Sequence, residues 1–350
     1  MRIRLRAAAF QGSTALAGKV SFVTTQIVCI LALLGGQLSD DELIRLPVVN
    51  EGVSSPDNGV VEPSSPAASS GDWLSAFRSE AGGSEVSLDN PCLDRQAARP
   101  VNRLAMSWIT AGGRHGFGNV DFDLSRTWAV SSQPEIAPPA ITPGFGWHLW
   151  SGPTALDLPA QVYDLYLDLS WRFWEREGSG LAMGITPGVY GDFQRMDGDA
   201  FQLTGWILGN HRFSASWNLL GGLAYVRQLD SHLLPIGGLV WTPDENTHVE
   251  VLVPRPRFAR RLLTDASREA WWYVAGQFGG GAWAVADTPT ENVLVGYSDL
   301  RLLLGLQAFY VDGRELALEV GYVFNRDISV NEVSVLKPDG AFLIQAVAVF

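Results

Sequence analysis

The chain of 350 residues has few cysteines and no long apolar run, and both shortages narrow its class. Cys29 and Cys92 are its only cysteines, so neither a C-x-x-C pair nor a Cys/His cluster with zinc-site spacing occurs. If Cys29 leaves with an N-terminal signal, the mature chain cannot form an internal disulfide. No apolar segment reaches the roughly 18–20 residues of a membrane-spanning helix. The sequence therefore predicts neither a disulfide scaffold, nor a zinc protein, nor a helical membrane protein.

Positive charge and catalytic motifs are also scarce. There are 25 Lys and Arg against 37 Asp and Glu, and the net charge of -12 argues against binding to nucleic acid, whose phosphates need a basic surface. The G-x-S-x-G nucleophile motif is absent. The glycine-rich stretch 112–118 lacks the lysine and spacing of a phosphate-binding loop, so we interpret it as a turn. We predict no catalytic residue, no cofactor and no metal, and expect that the protein is not an enzyme.

Two segments precede the main domain. Arg2, Arg4 and Arg6 stand before the apolar stretch 20–34, and small residues follow it, which indicates a secretory signal peptide over residues 1–36. An uncleaved anchor is the alternative. Residues 37–99 are rich in Ser, Pro and Gly and hold eleven Asp or Glu against four Arg. Such a segment cannot bury enough apolar surface to fold, so we predict a disordered acidic linker.

From residue 100 onward, apolar and polar side chains alternate in segments separated by turn residues. In residues 162–174, Tyr163, Leu165 and Leu167 share one face and Asp164 and Asp168 the other. The segments average near ten residues, which suits tilted transmembrane strands better than the shorter strands of soluble sandwiches. Tryptophans stand near segment ends, as in interfacial aromatic girdles. We predict an all-β fold, a transmembrane antiparallel up-and-down β-barrel over residues 100–350.

The strand count is open at this stage. Thirteen candidate segments are recognisable, whereas a bacterial single-chain barrel normally has an even number of strands. Either 101–111 is not a barrel strand, which gives twelve, or 257–263 hides a further strand, which gives fourteen. We expect about 12 strands, within a range of 12–14.

The last eleven residues, GAFLIQAVAVF, form an alternating segment that ends on an aromatic residue. This end resembles the closing strand of bacterial outer-membrane barrels, in which the segment is also the sorting signal read by the barrel-insertion machinery. We take Phe342, Ile344 and Phe350 as the candidate sorting signal, expected to face lipid. The implied location is the outer membrane of a Gram-negative-type bacterium, with outer-membrane lipid and the insertion machinery as partners.

Several longer motifs are similar to one domain family. They are 237–243 (GGLVWTP), 249–258 (VEVLVPRPRF), 271–273 (WWY) and 279–283 (GGGAW). Together they resemble an uncharacterised family described as an outer-membrane β-barrel and seen largely in planctomycete-type bacteria. The resemblance covers roughly residues 100–350. It implies the fold and brings no ligand or active site.

The charged inward face suggests the function. The candidate lumen-lining residues are Asp164, Asp168, Arg172, Glu250, Asp299, Arg301, Glu319 and Asp327. They could line an aqueous pore or pair across a narrow interior, so we predict a passive, porin-like pore or structural barrel for small solutes, of unknown oligomeric state.

Two other functions remain open. One is an outer-membrane lipid-modifying enzyme of the phospholipase or deacylase type, for which His148 near Ser151 is the pair to test. The other is a soluble periplasmic β-sandwich binding module. A basic cluster at Arg255, Arg257, Arg260 and Arg261 either contacts anionic lipid headgroups or is a solvated turn.

Overall fold

The computed structural model describes residues 100–113, 116–129, 139–153, 156–176, 178–196, 198–226, 233–288 and 291–350. The predicted signal peptide (1–36) and acidic linker (37–99) lie outside these residues. Within the described ranges, every regular element is a β-strand. None of these residues belongs to a helix long and apolar enough to cross a membrane.

The chain forms fifteen strands. Their bounds are β1 Val101–Ile109, β2 Gly118–Ala129, β3 Ala140–Ser151, β4 Gln161–Arg176, β5 Ser179–Gly191, β6 Phe201–Ser214, β7 Trp217–Tyr225, β8 Leu233–Asp244, β9 Thr247–Val253, β10 Arg257–Thr264, β11 Arg268–Thr288, β12 Glu291–Tyr310, β13 Glu315–Val330, β14 Val333–Leu336 and β15 Ala341–Val349.

The sheet closes on itself. Each strand from β1 to β13 pairs antiparallel with the next, and β15 pairs with both β13 and β1. The register between β1 and β15 runs from Arg103 opposite Val349 to Ile109 opposite Leu343. The short β14 pairs with the end of β13. In the part of the chain that the structure describes, the wall therefore has fourteen strands and no free edge. A soluble β-sandwich, with its two separate sheets, is the wrong fold.

The expectation of about twelve strands is also wrong, and β10 is the reason. It occupies 257–264, where a hidden strand was the alternative, while β1 is a full member of the wall. The sequence pattern conceals β10 because Arg260 occupies an outward position and Ala259 an inward one, so the strand does not alternate in hydrophobicity as its neighbours do.

The two faces of the wall differ in chemistry. Large apolar side chains cover the outside and are exposed, among them Leu165, Leu219, Val251, Leu304 and Val320. Exposed aromatic rings stack outside one end, where the centroids of Phe213 and Trp217 are 6.3 Å apart and those of Trp217 and Trp241 are 5.6 Å apart. An apolar band with an aromatic border is the surface that a lipid bilayer solvates best.

The two ends of the barrel differ in loop length. At the end where β1 begins and β15 finishes, most connections are short, such as 215–216 and 245–246, although β2 and β3 are joined by 130–139; we call it the short-turn end. At the opposite end, the long-loop end, connections include 192–200 and 331–340. Long external and short periplasmic connections are typical of outer-membrane barrels.

The barrel is narrower at the long-loop end. Beyond Ala275, the last residue paired with β10, β11 continues across the barrel to β5. There the Asp192 amide donates to the Ala284 carbonyl at 3.1 Å, and the Gln202 side chain donates to the Ala282 carbonyl at 2.8 Å. A Cβ atom at Gly191 would lie 2.4 Å from the Ala284 oxygen, so this crossing requires glycine. Nine strands, β1–β5, β11–β13 and β15, enclose this end.

Candidate functional site

Most of the predicted lumen-lining residues lie on the inward face. Six of them have buried side chains there, namely Asp164, Asp168, Glu250, Asp299, Arg301 and Glu319. Arg172 lies in β4 opposite Ala182, and its side chain is outside what the structure describes. Asp327 is displaced from this set. A β-bulge with a positive φ at Asn325 shifts the alternation, so Arg326 points inward while Asp327 accepts a hydrogen bond from Ser334 near the surface.

A histidine between two carboxylates forms the centre of the interior. The His148 Nδ1 atom lies 2.9 Å from an Asp121 oxygen, and Nε2 lies 2.9 Å from an Asp164 oxygen. Ionised carboxylates only accept hydrogen bonds, so both contacts are hydrogen bonds when the imidazole carries two protons. Ser107 donates to Asp121 at 2.7 Å and Trp283 donates to Asp164 at 2.7 Å. This network links β1 to β4 with β11 across the interior.

Two arginines complete the charged region. Arg103 contacts Asp123 at 2.8 Å, and the same carboxylate accepts a hydrogen bond from Tyr166 at 2.8 Å. Arg301 donates to both oxygens of Asp299, at 2.7 and 3.3 Å. The guanidinium of Arg301 lies over Gly279, where a Cβ atom would be 2.1 Å from it, so the glycine makes room for the ion pair.

The basic cluster of β10 points mainly into the barrel. Arg255 donates to Glu319 at 2.9 Å, and Tyr273 donates to the same carboxylate at 2.7 Å. The guanidinium of Arg257 lies 3.9 Å from the centre of the Tyr273 ring. Arg261 contacts Glu269 at 3.0 Å, whereas Arg260 is exposed on the outward face. Three of the four arginines therefore have interior partners, which neither of the two sequence interpretations anticipated.

An aromatic cluster fills the long-loop end. Phe117, from the connection between β1 and β2, packs against Trp150 and Tyr297, with ring centroids 5.8 and 5.2 Å away. Trp283 meets the other side of Trp150 at 5.2 Å. The buried Arg326 donates to the Tyr297 hydroxyl at 2.9 Å and to the Phe117 carbonyl, so it holds the loop in place. These rings occupy the bore that the nine strands enclose.

The interior of β6–β9 contains an apolar cluster, formed by Leu208, Leu220, Ala224, Ile236, Val240 and Leu252. Buried polar side chains flank it, among them Asn218 of β7 and the pair of His248 and Glu250 on β9, 2.7 Å apart. The polar network and this apolar cluster therefore occupy different sides of the same barrel.

A cavity of about 80 Å³ lies beside the polar network. Strands β1–β4 form one side of it and strands β11 and β12 the other, with Gln345 of β15 at its border. Asn119, Asp121, Trp283 and Tyr297 are among the side chains that line it. Within the described ranges, no group of His, Cys, Asp and Glu is arranged to hold a metal ion. The cavity is thus a small polar site with aromatic walls.

The serine and histidine pair considered for lipid chemistry does not form. His148 points inward, whereas Ser151 is on the outward face and donates to the Gly118 carbonyl at 3.2 Å. A different pair is present: the Ser179 hydroxyl and Nδ1 of His211 are 2.7 Å apart on the outer surface near the short-turn end. The two residues lie opposite each other on the adjacent strands β5 and β6. Because they are 32 residues apart in the sequence, the sequence alone does not reveal the pair.

The end of the chain completes the seam of the barrel. Phe342 and Phe350 are well exposed on the outward face and Ile344 is partly so, while Gln345 points inward. The backbone of Phe350 pairs with Asn102 through hydrogen bonds of 2.8 and 2.9 Å. The candidate sorting residues thus lie on the lipid-facing side of the closing strand.

Comparisons with known proteins find similar solved structures but no matching family and no matching curated sequence. The chain is similar to a bacterial polysaccharide outer membrane secretin, with 10% identity, a TM-score of 0.37, and coverage of 72% of this chain and 97% of that one. It is similar to an outer membrane channel from Pseudomonas putida F1, with 12% identity, a TM-score of 0.36, and coverage of 71% and 94%.

A third solved structure, the NanC porin, shares 8% identity at a TM-score of 0.33, with coverage of 71% of this chain and 98% of that one. All three are outer-membrane proteins or porins. At these identities and TM-scores, the similarities carry no argument about what the chain does. The resemblance to an uncharacterised barrel family stays a prediction.

Proposed function

We propose that the chain is an integral outer-membrane β-barrel that provides a restricted passage for small polar solutes. The observation that carries the proposal is the division of the closed wall into an exposed apolar outside and a charged, buried inside. A soluble barrel would present polar side chains to water instead. We propose the outer membrane as its location, with outer-membrane lipid and the barrel-insertion machinery as partners, because the same division suits a bilayer and β15 carries an outward aromatic residue, Phe342.

The passage is restricted because the interior is largely paired and filled. The acids and bases of the inward face neutralise one another, as in Arg255 with Glu319 and Arg301 with Asp299. The cluster around Phe117 closes the long-loop end. The protein should therefore conduct weakly until this cluster moves.

Fractionation tests the barrel itself. A closed barrel resists denaturation by detergent, so the unheated protein should migrate differently from the heated protein on a gel, and carbonate washing should leave it in the membrane. A carbonate-soluble protein with a single migration position would overturn the proposal.

Planar-bilayer recording tests the passage. The variant Phe117→Ala should raise single-channel conductance or open probability several-fold, because it removes the ring between Trp150 and Tyr297. Phe213→Ala, on the outer surface, is the matched control and should conduct like the wild type. If both variants migrate normally on gels and insert but carry no current, the protein is not a passage for solutes and a structural barrel remains.

The sorting role of the chain end has its own test. Deletion of Phe350 should lower the amount of protein assembled in the outer membrane, because the closing strand loses its exposed terminal aromatic. Leu306→Ala changes another exposed apolar residue, on β12, and should assemble normally. Wild-type levels of the Phe350 deletion would contradict a sorting role.

A lipid-modifying enzyme is the second candidate, and the contact between Ser179 and His211 favours it. The histidine is positioned to accept the serine proton on a surface where lipid is available. Phospholipid hydrolysis by the purified barrel, lost in Ser179→Ala and retained in Ser151→Ala, would support this function. An inactive wild-type protein would remove it.

A further inference from the structure

One arginine of the barrel wall faces outward without a protein partner. Arg260 is exposed in β10, between Phe258 and Leu262, two exposed apolar residues of the same face. Among the described residues, none forms an ion pair, a side-chain hydrogen bond or a cation–π contact with Arg260. Arg126 of β2 also faces outward, but its guanidinium lies 5.3 Å from the centre of the Trp128 ring. Arg260 therefore carries a charge for which the described chain supplies no counterion.

Carboxylates at the same end of the barrel have other partners. Glu269 contacts Arg261 at 3.0 Å, and Asp265 accepts a hydrogen bond from the backbone amide of Arg268 at 2.9 Å. An arginine on the lipid-facing side of a barrel is costly in the middle of the bilayer and costs little near its surface. We therefore expect the counterion of Arg260 to come from outside the chain, at the membrane surface.

Two further hydrogen-bond donors flank this arginine. Thr247 of β9 and Trp272 of β11 lie directly opposite Arg260 in the register, one on each side. Neither the Thr247 hydroxyl nor the Trp272 indole N–H forms a hydrogen bond with a described residue. A guanidinium and an indole N–H only donate, and a hydroxyl can donate. Three such groups side by side suit an anion with several acceptor oxygens, and a guanidinium binds a phosphate with two parallel hydrogen bonds.

The surroundings of these donors indicate that the anion carries an apolar part. The Phe258 and Trp272 rings pack with centroids 5.7 Å apart, and Leu262 is exposed beyond Arg260. The strand β10 ends four residues after Arg260, which corresponds to roughly 13 Å of extended chain. A long arginine side chain can therefore keep its stem on the apolar surface and direct its charge toward the short-turn end.

We propose that Arg260, Thr247 and Trp272 form a binding site for the phosphate of a glycerophospholipid, whose acyl chains lie against Phe258 and Leu262. The inference rests on the proposed membrane location and deepens it, since it assigns a headgroup chemistry and a position to the lipid partner. The site lies in the half of the wall nearer the short-turn end.

Native mass spectrometry of the full chain in detergent, titrated with dioleoyl phosphatidylglycerol, tests the site. We expect one lipid per chain to bind more tightly than the others. Arg260→Gln should weaken the affinity for this lipid about tenfold, because the charge-assisted hydrogen bonds to the phosphate are lost. Arg260→Lys should weaken it less, since it keeps the charge without the two-pronged geometry. Dioleoylglycerol, which lacks the phosphate, should bind equally weakly to the wild type and to Arg260→Gln.

Arg314→Gln is the matched control, because it removes one positive charge at the same end of the barrel from a side chain that is paired with Asp312. It should bind the lipid like the wild type, and heat-modifiable gel migration establishes that each variant is folded. Equal affinity of the wild type and Arg260→Gln for phosphatidylglycerol, with water as the only partner of the guanidinium, would overturn the site. An equal loss in Arg314→Gln, or a parallel loss of dioleoylglycerol binding, would overturn it as well. A carbonate-soluble protein would instead overturn the membrane barrel, whereas a membrane-embedded barrel without this Arg260-dependent affinity rejects the site alone, whether or not it conducts.

Discussion

Two regions of the interior are packed in different ways. One is enclosed by β1–β4 and β11–β12, and the other by β6–β9. The first region fills space with paired charges around His148, and the second with an apolar cluster around Leu208. A charged interior specifies which strands must meet, because each carboxylate needs its own donor. An apolar interior is less selective, since any well-fitting side chain contributes burial. The difference predicts that the polar side is most sensitive to changes of charge and the apolar side to changes of volume.

The largest expected effect comes from His148→Leu. It leaves Asp121 and Asp164 buried without the proton donor between them, and breaking a buried charge network in this way costs roughly 3–5 kcal/mol. Urea unfolding of the barrel in detergent measures the loss.

The charge explanation has a direct check. Adding Asp121→Asn and Asp164→Asn to His148→Leu should recover much of the stability, because the unpaired charges are then removed. His211→Ala, at an exposed histidine, should change little. An equally unstable triple variant would show that shape, not charge, dominates the polar side.

The apolar side is tested by Leu208→Ala. Leu208 is almost fully buried, so truncation should leave a cavity and cost about 2–5 kcal/mol in the same unfolding assay. Leu203→Ala on the outward face of the same strand should cost less, because lipid fills the space that the side chain leaves. Equal losses would mean that the cluster is not tightly packed.

A pair of glycines compares the inward and outward faces of the wall at smaller scale. Gly279→Ala should push Arg301 from its place beside Asp299, at a cost of about 1–3 kcal/mol. Gly221→Ala, on β7, meets no atom within 4 Å and should be nearly neutral. The comparison would fail if both substitutions were tolerated equally in thermal unfolding.

The smallest expected effect lies outside the wall, in the turn after β12. The Arg314 amide and side chain hold the pKa of Asp312 below its usual value. A carboxyl group whose pKa is lowered by folding stabilises the folded state at pH values above its ordinary pKa. This contribution is lost as the pH falls through the lowered pKa. Asp312→Asn should slightly flatten the acid limb of the stability profile. An unchanged profile would assign the acid limb to the buried network.

Much of the fold can be predicted from alternation alone, because a strand buried on one side repeats every two residues. The pattern in residues 162–174 places Asp164 and Leu165 on the faces where the structure has them. Alternation fails where another interaction dominates. The outward Arg260 and the inward Ala259 conceal β10, and the bulge at Asn325 reverses the phase before Asp327.

The candidate site is harder to predict because its members are distant in the chain. Asp164 and Trp283 are 119 residues apart, and their contact depends on β11 crossing the barrel. The inward phase of β2 and β3 does contain the signal, since Asp121 and His148 occupy positions where apolar residues are expected in a packed core. The pairing of these residues follows only from the strand order.

The crossing of β11 onto β5 gives the barrel the shape of a funnel. The short-turn end is bounded by fourteen strands and the long-loop end by nine. Because barrel diameter grows with strand number, the total of fourteen overstates the diameter at the narrowest point. If the barrel conducts as proposed, a solute arriving from the short-turn end enters the wider part of the wall first, while one arriving from the other side meets the constriction first. Ion flow through such a geometry should rectify, with unequal currents at equal and opposite voltages.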